Sequence, residues 1–438
     1  MVRVRSLTIA VLAVALSAGT ASAGAAGLPA WDLVPSPDPA AASQFLGVSA
    51  VAPGQVWAVG SRGSRSLTAR WNGTAFVAVP SPNVSGRARV LEDVDGRAAD
   101  DVWAVGHTDR IDAVGSRTLI VHWDGSSWVR VPSPSLGDAD AENVLSGVAV
   151  VDADDVWAVG WHSTIDPNSA QALTLHWDGE TWTRVANPCG RFLREVVALS
   201  ATNVWAVGGN STCRWNGDRW TRRAAAAHPN PSVSIDLQDV TAAGPGNVWA
   251  VGLGAAPCGE GVCFTGVIER WNGSSWSFRS VGEQLYGVHA LAGDAIYAVG
   301  IGRGPAVIHF DGTGRTSVPV PTPKPIGRLF AVDAAANGRL WGVGWQVENG
   351  AMRTLAERAP SPDSGAVVGR TGIGNATVSW FGPESGSVEA DQFGRFQVGG
   401  LDAGAYDFVA TFPGCAPATK RVTVAAGTTI ASPLLIEC

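Results

Sequence analysis

Charge is scarce in this chain of 438 residues: Asp, Glu, Lys and Arg make up 16% of it, and the formal net charge is -7. A protein that binds nucleic acid needs a basic face to neutralise phosphates, so a mildly acidic chain excludes that class of partner. The sequence also lacks a G-x-S-x-G elbow, an H-E-x-x-H pair and a phosphate-binding glycine loop. These absences exclude the corresponding serine hydrolases, zinc peptidases and P-loop proteins.

Long apolar runs are equally scarce, and the clearest one opens the chain. Residues 1–5 are basic (MVRVR), residues 7–16 are apolar (LTIAVLAVAL), and residues 21–23 (ASA) form a small-residue cleavage site. This pattern predicts a signal peptide over residues 1–23. Its apolar core is too short to span a bilayer, and no later run is long enough. We therefore expect a secreted, extracellular protein with no membrane association after removal of the signal.

The six cysteines follow from that expectation. In an exported chain they indicate disulfides rather than thiol chemistry, although six cysteines allow fifteen pairings. Proximity in the sequence favours three particular pairs: Cys189 with Cys213, Cys258 with Cys263, and Cys415 with Cys438.

A pentapeptide recurs through most of the chain. It reads VWAVG at 56–60, 102–106, 156–160, 204–208 and 248–252, then IYAVG at 296–300 and LWGVG at 340–344. Its aromatic residues are 44 to 54 positions apart. Seven copies of a unit of this length, built from short β-type runs, are typical of propeller blades, which stack to bury their faces.

Each unit predicts four strands. An apolar residue lies twelve positions before each aromatic residue, a valine follows it three positions later, and together they mark strand a. The pentapeptide is strand b, and strand c ends in an Asp-Gly or Asn-Gly hairpin turn in most units. Strand d follows that turn, and a proline commonly marks its exit.

The seventh unit has no strand d of its own. After residues 354–359 (TLAERA) it runs straight into a proline, whereas residues 30–37 (AWDLVPSP) look like a strand d with no blade before it. We therefore predict that residues 31–34 complete the seventh blade. The expected fold is all-β, a seven-bladed β-propeller over residues 24–362 whose closure removes exposed sheet edges.

These repeats resemble the seven-bladed propellers of secreted bacterial proteins, in the broad galactose oxidase and kelch-like superfamily. Residues 363–438 have a different composition and predict a small β-sandwich. Their run of Asp391, Gly394, Phe396, Gly404 and Tyr406 resembles the carboxypeptidase regulatory-like (transthyretin-like) module, which implies an accessory or adhesive role without catalysis. Cys415 stands where that family usually has an aromatic residue, and a disulfide to Cys438 would explain the difference.

The first candidate site lies in the variable loops between strands b and c of two adjacent blades. Aromatic and polar side chains together are typical of sugar binding, and the alternative is that these are ordinary solvated loop residues. The residues concerned are His107, Asp109, Arg110, Asp112, Trp161, His162 and Asp166.

The second candidate site lies in strand a, at the two variable positions after the opening apolar residue. Because strand a lines the channel of a propeller, acids there would surround its mouth. They could hold a hard cation or supply acid and base groups; alternatively they cap backbone N–H groups or pair with an arginine. The residues are Glu92, Asp93, Arg194, Glu195 and Asp239.

A basic residue precedes the end of strand c in all seven units, and this uniformity favours a framework role. We expect it to pair with turn acids such as Asp101 and Asp155 or to stack on a tryptophan. The residues are Arg70, His122, His176, Arg214, Arg270, His309 and Arg358.

Together these observations predict a secreted, monomeric, non-catalytic binding protein without a cofactor, whose partner is an extracellular glycan or protein. One alternative is a polysaccharide lyase or glycoside hydrolase that uses carboxylates at the channel mouth. A second alternative is a purely structural surface protein.

Overall fold

The computed structural model describes residues 31–37, 42–52, 54–82, 87–111, 113–164, 166–259, 261–321, 326–360, 364–383 and 385–438. The predicted signal peptide and Asp112 lie outside these residues. The described chain is all-β apart from one 3-10 turn, Pro167–Ser169. None of its helical segments has the length and apolar character needed to cross a membrane.

The strands of the N-terminal three quarters form successive antiparallel sheets of four. A short N-terminal strand comes first: β1 (Asp32–Leu33). Sheet 1 contains β2 (Ser43–Ala52), β3 (Gln55–Arg62), β4 (Arg65–Trp71) and β5 (Phe76–Ala78). Sheet 2 contains β6 (Arg87–Ala98), β7 (Asp101–Arg110), β8 (Ser116–Trp123) and β9 (Trp128–Val131). Sheet 3 contains β10 (Glu142–Asp152), β11 (Asp155–Ser163), β12 (Gln171–Trp177) and β13 (Trp182–Arg184).

The next sheets repeat the same order. Sheet 4 contains β14 (Glu195–Ser200), β15 (Asn203–Gly208), β16 (Ser211–Trp215) and β17 (Trp220–Arg223). Sheet 5 contains β18 (Ser234–Gly244), β19 (Asn247–Cys258), β20 (Gly261–Trp271) and β21 (Trp276–Val281). Sheet 6 contains β22 (Gln284–Ala292), β23 (Ala295–Ile301), β24 (Pro305–Phe310) and β25 (Arg315–Val318). Sheet 7 contains β26 (Gly327–Ala334), β27 (Leu340–Glu348), β28 (Ala351–Arg358) and the N-terminal β1.

The sheets follow one another in a propeller-like arrangement. The first strand of each sheet contacts the first strand of the next, and β26 of sheet 7 contacts β2 of sheet 1. The aromatic residue of a pentapeptide packs between sheets: the Trp57 ring lies 4.8 Å from Trp123 and 5.1 Å from Trp128 of sheet 2, and Trp341 lies 4.9 Å from Trp71 of sheet 1. Burial of these large rings between adjacent sheets stabilises the contact between the two sheets.

The N-terminal segment occupies the place predicted for it. Asp32 pairs with Arg358 and Leu33 with Glu357, while the N–H of Val34 donates to the carbonyl of Ala356 at 2.8 Å. The side chains flanking this strand, Trp31 and Val34, are each only 3% exposed. The predicted pairing of residues 31–34 with the last repeat is thus confirmed.

The repeated basic position has the predicted framework role. His122 Nε2 lies 2.9 Å from Asp101 Oδ1, and its ring lies 4.3 Å from Trp103. Where the residue is arginine, as at Arg270, the guanidinium lies over the pentapeptide tryptophan, 4.9 Å from the Trp249 ring centroid. His122 thus joins the turn to strand b of its own sheet, whereas Arg270 also pairs with Asp294 of sheet 6 at 2.7 Å.

The three predicted disulfides are all present: Cys189–Cys213, Cys258–Cys263 and Cys415–Cys438. The first is buried in the core between sheets 3 and 4. The second joins the two strands of the long hairpin of sheet 5, and the third lies in the C-terminal tail.

The tail forms two further sheets around a shared buried cluster that includes Val378, Tyr406 and Phe408. As its Asp-x-x-Gly pattern indicates, the carboxylate of Asp391 accepts hydrogen bonds from the N–H groups of Phe393 and Arg395, at 2.9 and 2.8 Å. The strands are β29 (Gly365–Arg370), β30 (Thr377–Phe381), β31 (Gly386–Glu389), β32 (Arg395–Leu401), β33 (Gly404–Thr411), β34 (Ala418–Val424) and β35 (Thr429–Ala431).

The tail packs against sheets 7 and 1. Arg339, only 3% exposed, forms an ion pair with Asp402 at 3.2 Å and also donates to the carbonyl of Gly400. Asn337 Nδ2 donates to the same Asp402 carboxylate at 2.9 Å. Charge-assisted hydrogen bonds of this kind are stronger than neutral ones.

Candidate ligand-binding site at the channel mouth

The first strands of the seven sheets enclose a cavity of roughly 750 Å³. Every sheet contributes residues to its wall, and the wall is rich in acids. We call one end of this cavity the mouth: it is the end where the first strand of each sheet begins and the second strand ends. Residues that represent the seven sheets in order are Leu46, Asp93, Ser146, Glu195, Asp239, Tyr286 and Phe330.

A repeated β-bulge explains why both variable positions of strand a reach the cavity. In sheets 1, 2, 3, 5, 6 and 7 the pairing of the first two strands shifts register just after the opening apolar residue, as between Leu91 and Asp93. The extra residue, here Glu92, leaves two successive side chains facing the channel, whereas a regular strand would turn one of them away. Glu92 and Asp93 accordingly both line the cavity.

The glycine that ends the pentapeptide permits this bulge. In sheet 3, Gly160 pairs with Leu145, and a Cβ on Gly160 would overlap the carbonyl oxygen of Val144. The equivalent glycine meets the same obstruction in every sheet. It is required by the close approach of the backbone, and no left-handed conformation is involved.

The inner carboxylates bind backbone N–H groups, as the framework alternative predicts. Asp93 accepts from Val148 of the next sheet at 2.9 Å, and Asp239 accepts from Val288 of the next sheet at 2.6 Å. Glu195 accepts from the N–H of its own neighbour, Val196, at 2.8 Å. Asp93 and Asp239 therefore link one sheet to the next at the channel wall.

Burial raises the pKa of these acids. It lifts the pKa of Asp93 and of Glu195 well above the ordinary range, against the hydrogen bonds from backbone N–H groups, and it lifts the pKa of Asp239 to about 7. The charges of Asp93 and Asp239 raise the pKa of Glu195 further. Burial thus favours the protonated, uncharged form of each of these acids.

The mouth brings the two predicted groups of residues together. His107 lies between two carboxylates, 3.5 Å from Glu92 and 3.4 Å from Asp109. Burial lowers the pKa of His107, but the hydrogen bond to Asp109 and the charge of Glu92 outweigh it and raise that pKa overall. His107, Asp109 and Trp161 line the same cavity as Glu92, Asp93, Arg194, Glu195 and Asp239.

Other predicted residues lie away from the cavity wall. Arg110 forms an ion pair with Asp140 at 2.8 Å, and Asp166 caps the 3-10 turn by accepting from Asn168 at 2.8 Å. His162 does not line the cavity, and burial lowers its pKa. Arg194 does line it, but pairs with Asp236 at 3.4 Å rather than with a channel acid.

Sequence reasoning missed a cluster on sheets 6 and 7. The guanidinium carbon of Arg328 lies 5.1 Å from the ring centroid of Tyr286, 5.6 Å from that of Phe330 and 5.5 Å from that of Trp345. Trp345 directly follows the seventh pentapeptide, the repeat position that His107 and Trp161 occupy in sheets 2 and 3. Comparing that position across the repeats would have identified it.

The described residues offer no ready metal centre, because no three His, Cys, Asp or Glu side chains among them are grouped to hold an ion. The predicted alternative of a hard cation among Asp93, Glu195 and Asp239 therefore gains no support. The backbone hydrogen bonds of these acids account for their positions.

No family model and no curated protein matches the chain, but solved β-propeller structures share its fold. The WD40 repeats of RRP9 match with a TM-score of 0.52 at 12% identity, covering 76% of this chain and 98% of that one. U3-55K matches with 0.51 at 11% identity, covering 76% and 99%. The α-L-arabinofuranosidase Arb93A from Fusarium graminearum, solved with an iminosugar inhibitor, matches with 0.46 at 10% identity, covering 76% and 97%. At these identities the similarity concerns the fold alone.

Proposed function

We propose that this chain is an exported seven-bladed β-propeller, residues 24–362, with a transthyretin-like β-sandwich tail, residues 363–438, and that it binds an extracellular glycan at the channel mouth. The observation that carries the proposal is the cavity of roughly 750 Å³, whose mouth combines aromatic rings, carboxylates and an arginine. Aromatic faces pack against the C–H face of a sugar, while carboxylates accept hydrogen bonds from its hydroxyl groups.

Two features of the fold support the architecture and the export. Residues 31–358 supply seven four-stranded sheets, and the N-terminal strand pairs with the last repeat. Three disulfides form, and no free cysteine remains in the described chain. Disulfides persist in oxidising compartments outside the cytoplasm.

The test is a titration of the purified protein against a panel of glycan oligomers, with chromatography of each mixture for products. We expect retention of at least one oligomer without cleavage, and we expect Trp161→Ala to weaken that binding about tenfold or more by removing the aromatic platform. Phe393→Ala is the matched control, because Phe393 is an aromatic residue of the tail that is 65% exposed. Failure of every oligomer to bind would refute the proposal.

A glycoside hydrolase or lyase is the second candidate, and the raised pKa of Glu195 favours it. A carboxyl whose pKa is raised holds its proton more tightly and can act as a general acid towards a leaving group. Products that form with the wild-type protein and disappear with Glu195→Gln would establish this candidate in place of the binding role. Retention of the oligomer intact by both proteins would exclude it.

A further inference from the structure

We propose that Arg328 is a receptor for the anionic group of an acidic glycan, so that the ligand at the mouth carries a carboxylate or sulfate. This inference rests on the proposed function, since it names the class of glycan that the same site takes. It begins from the aromatic cluster on sheets 6 and 7.

Arg328 is held rigidly. Its Nη1 donates to the hydroxyl of Tyr286 at 3.0 Å, and that hydroxyl in turn donates to Gln284 Oε1 at 3.2 Å. Three rings surround the guanidinium, those of Tyr286, Phe330 and Trp345. Ring faces stabilise a cation without neutralising it, so the group is fixed in place with its charge intact.

Among the described residues, Arg328 also lacks the carboxylate partner that the other cations of the mouth have. Arg194 faces Asp236 at 3.4 Å, and His107 faces Glu92 and Asp109. Arg328 forms no ion pair within the described residues, and its Nε is buried there without a hydrogen-bond partner. A guanidinium has five N–H donors, and the bond to Tyr286 is the only one that this group makes to the part of the chain that the structure describes. Donors remain for a planar carboxylate or a tetrahedral sulfate bound through two oxygens.

The distribution of charge around the mouth gives the ligand a direction. Tyr286 and Phe330 line the cavity on sheets 6 and 7, and Arg328 contacts both rings from a position next to the lining residues. Glu92 and Asp109 line the cavity on sheet 2. Arg328 attracts an anionic substituent to its own side of the mouth. The sugar units of the same glycan can then donate hydrogen bonds from their hydroxyl groups to the carboxylates and pack on Trp161.

The experiment compares three oligomers of equal length: oligogalacturonate, the neutral galactose oligomer obtained by reducing its carboxylates, and a sulfated galactose oligomer. Binding of each is measured by calorimetry to the full chain and to Arg328→Gln, Arg328→Lys and Tyr286→Phe. Arg303→Gln is the matched control, since Arg303 is an exposed arginine in the turn between β23 and β24 on the same face.

We expect at least one acidic oligomer to bind more tightly than the neutral one. Arg328→Gln should weaken that oligomer by about 10- to 100-fold while changing neutral binding by less than about threefold. Arg328→Lys should cause a smaller loss than Arg328→Gln, because lysine keeps the positive charge but not the planar guanidinium. Tyr286→Phe keeps the ring but removes the hydroxyl that orients Arg328, so it should cause a smaller loss. This variant also tests the proposal if Arg328→Gln fails to fold.

The outcomes are separable. Arg328-dependent binding of the uronate or of the sulfated oligomer identifies which anion the site takes. Equal binding of all three oligomers, or acidic binding unaffected by Arg328→Gln and Tyr286→Phe, would overturn this inference and leave glycan binding standing. Binding of no oligomer in the wider panel would overturn both.

Discussion

A Cβ atom on Gly342 would lie 2.8 Å from Cζ3 of Trp31. The third position of the pentapeptide is alanine in the first six repeats and glycine only in the seventh, where the ring of the N-terminal tryptophan needs the space. The glycine at this position of the seventh repeat therefore makes room for the N-terminal strand.

Gly342→Ala should displace Trp31 and lower the free energy of unfolding by about 1–3 kcal/mol, as overpacking does. Urea unfolding followed by tryptophan fluorescence measures it. The same substitution in a Trp31→Ala background should cost far less, because the obstructing ring is gone. Equal costs in both backgrounds would show that the two residues are not coupled.

The bulge that exposes both variable positions to the channel should depend on the last glycine of the pentapeptide. We expect Gly160→Ala to destabilise the protein by more than about 3 kcal/mol, since its Cβ would overlap backbone that cannot move freely. The control is Gly282→Ala, where no atom outside the chain neighbours lies within 4 Å. If thermal unfolding of the two variants were alike, the steric explanation of the bulge would be wrong.

Glu357 makes stability depend on pH. Its side chain is fully buried, neither carboxylate oxygen has a hydrogen-bond partner in the described structure, and burial raises its pKa from 4.5 to about 8. Between these values the folded chain keeps the proton and the unfolded chain releases it. This group therefore lowers the free energy of unfolding as pH rises from about 4.5 to about 8, by up to about 1.4 kcal/mol per pH unit.

Glu357→Gln should remove this slope, so the variant should gain stability over the wild type at pH 8 but not at pH 4.5. Unfolding in urea across that range gives the difference directly. Glu180→Gln, at an exposed turn position, serves as the control and should leave the slope unchanged. A gain that stays constant with pH would mean that Glu357 is ionised in the folded protein.

The disulfides should differ in their contribution to stability. Cys189–Cys213 spans 24 residues and is fully buried, whereas the exposed Cys258–Cys263 spans only 5. Replacing both cysteines by alanine should cost about 3 to 4 kcal/mol for the first pair and about 2 kcal/mol for the second, because the longer loop restricts the unfolded chain more. Calorimetric unfolding of the two double variants tests the order, and the reverse order would contradict it.

Much of this fold could be predicted because it depends on short local patterns in the sequence. The pentapeptide, the Asn-Gly and Asp-Gly turns and the missing strand d each constrain a few neighbouring residues, and together they predicted that residues 31–34 pair with the last repeat. The three disulfides could be predicted because each joins cysteines that are near in sequence.

The site itself was harder to predict. Whether Glu92 and Asp93 face the same side depends on a bulge, which is a property of two paired strands rather than of one. Without it, His107 and Trp161 looked like a site separate from Asp93 and Glu195. Arg328 was not identified because the three rings around it lie on three different strands, and Glu357 was not identified because a lone acid in a strand gives no sign of its burial.

The tail contacts the turns at the end of the propeller away from the mouth, through Arg339 and Asn337 of sheet 7 and through Thr74 of sheet 1, which lies 2.9 Å from Ser385. The buried ion pair fixes that attachment. If the tail adheres to a surface, the mouth faces away from that surface. A polymer that binds at the mouth from the surrounding fluid then need not compete with the surface for space.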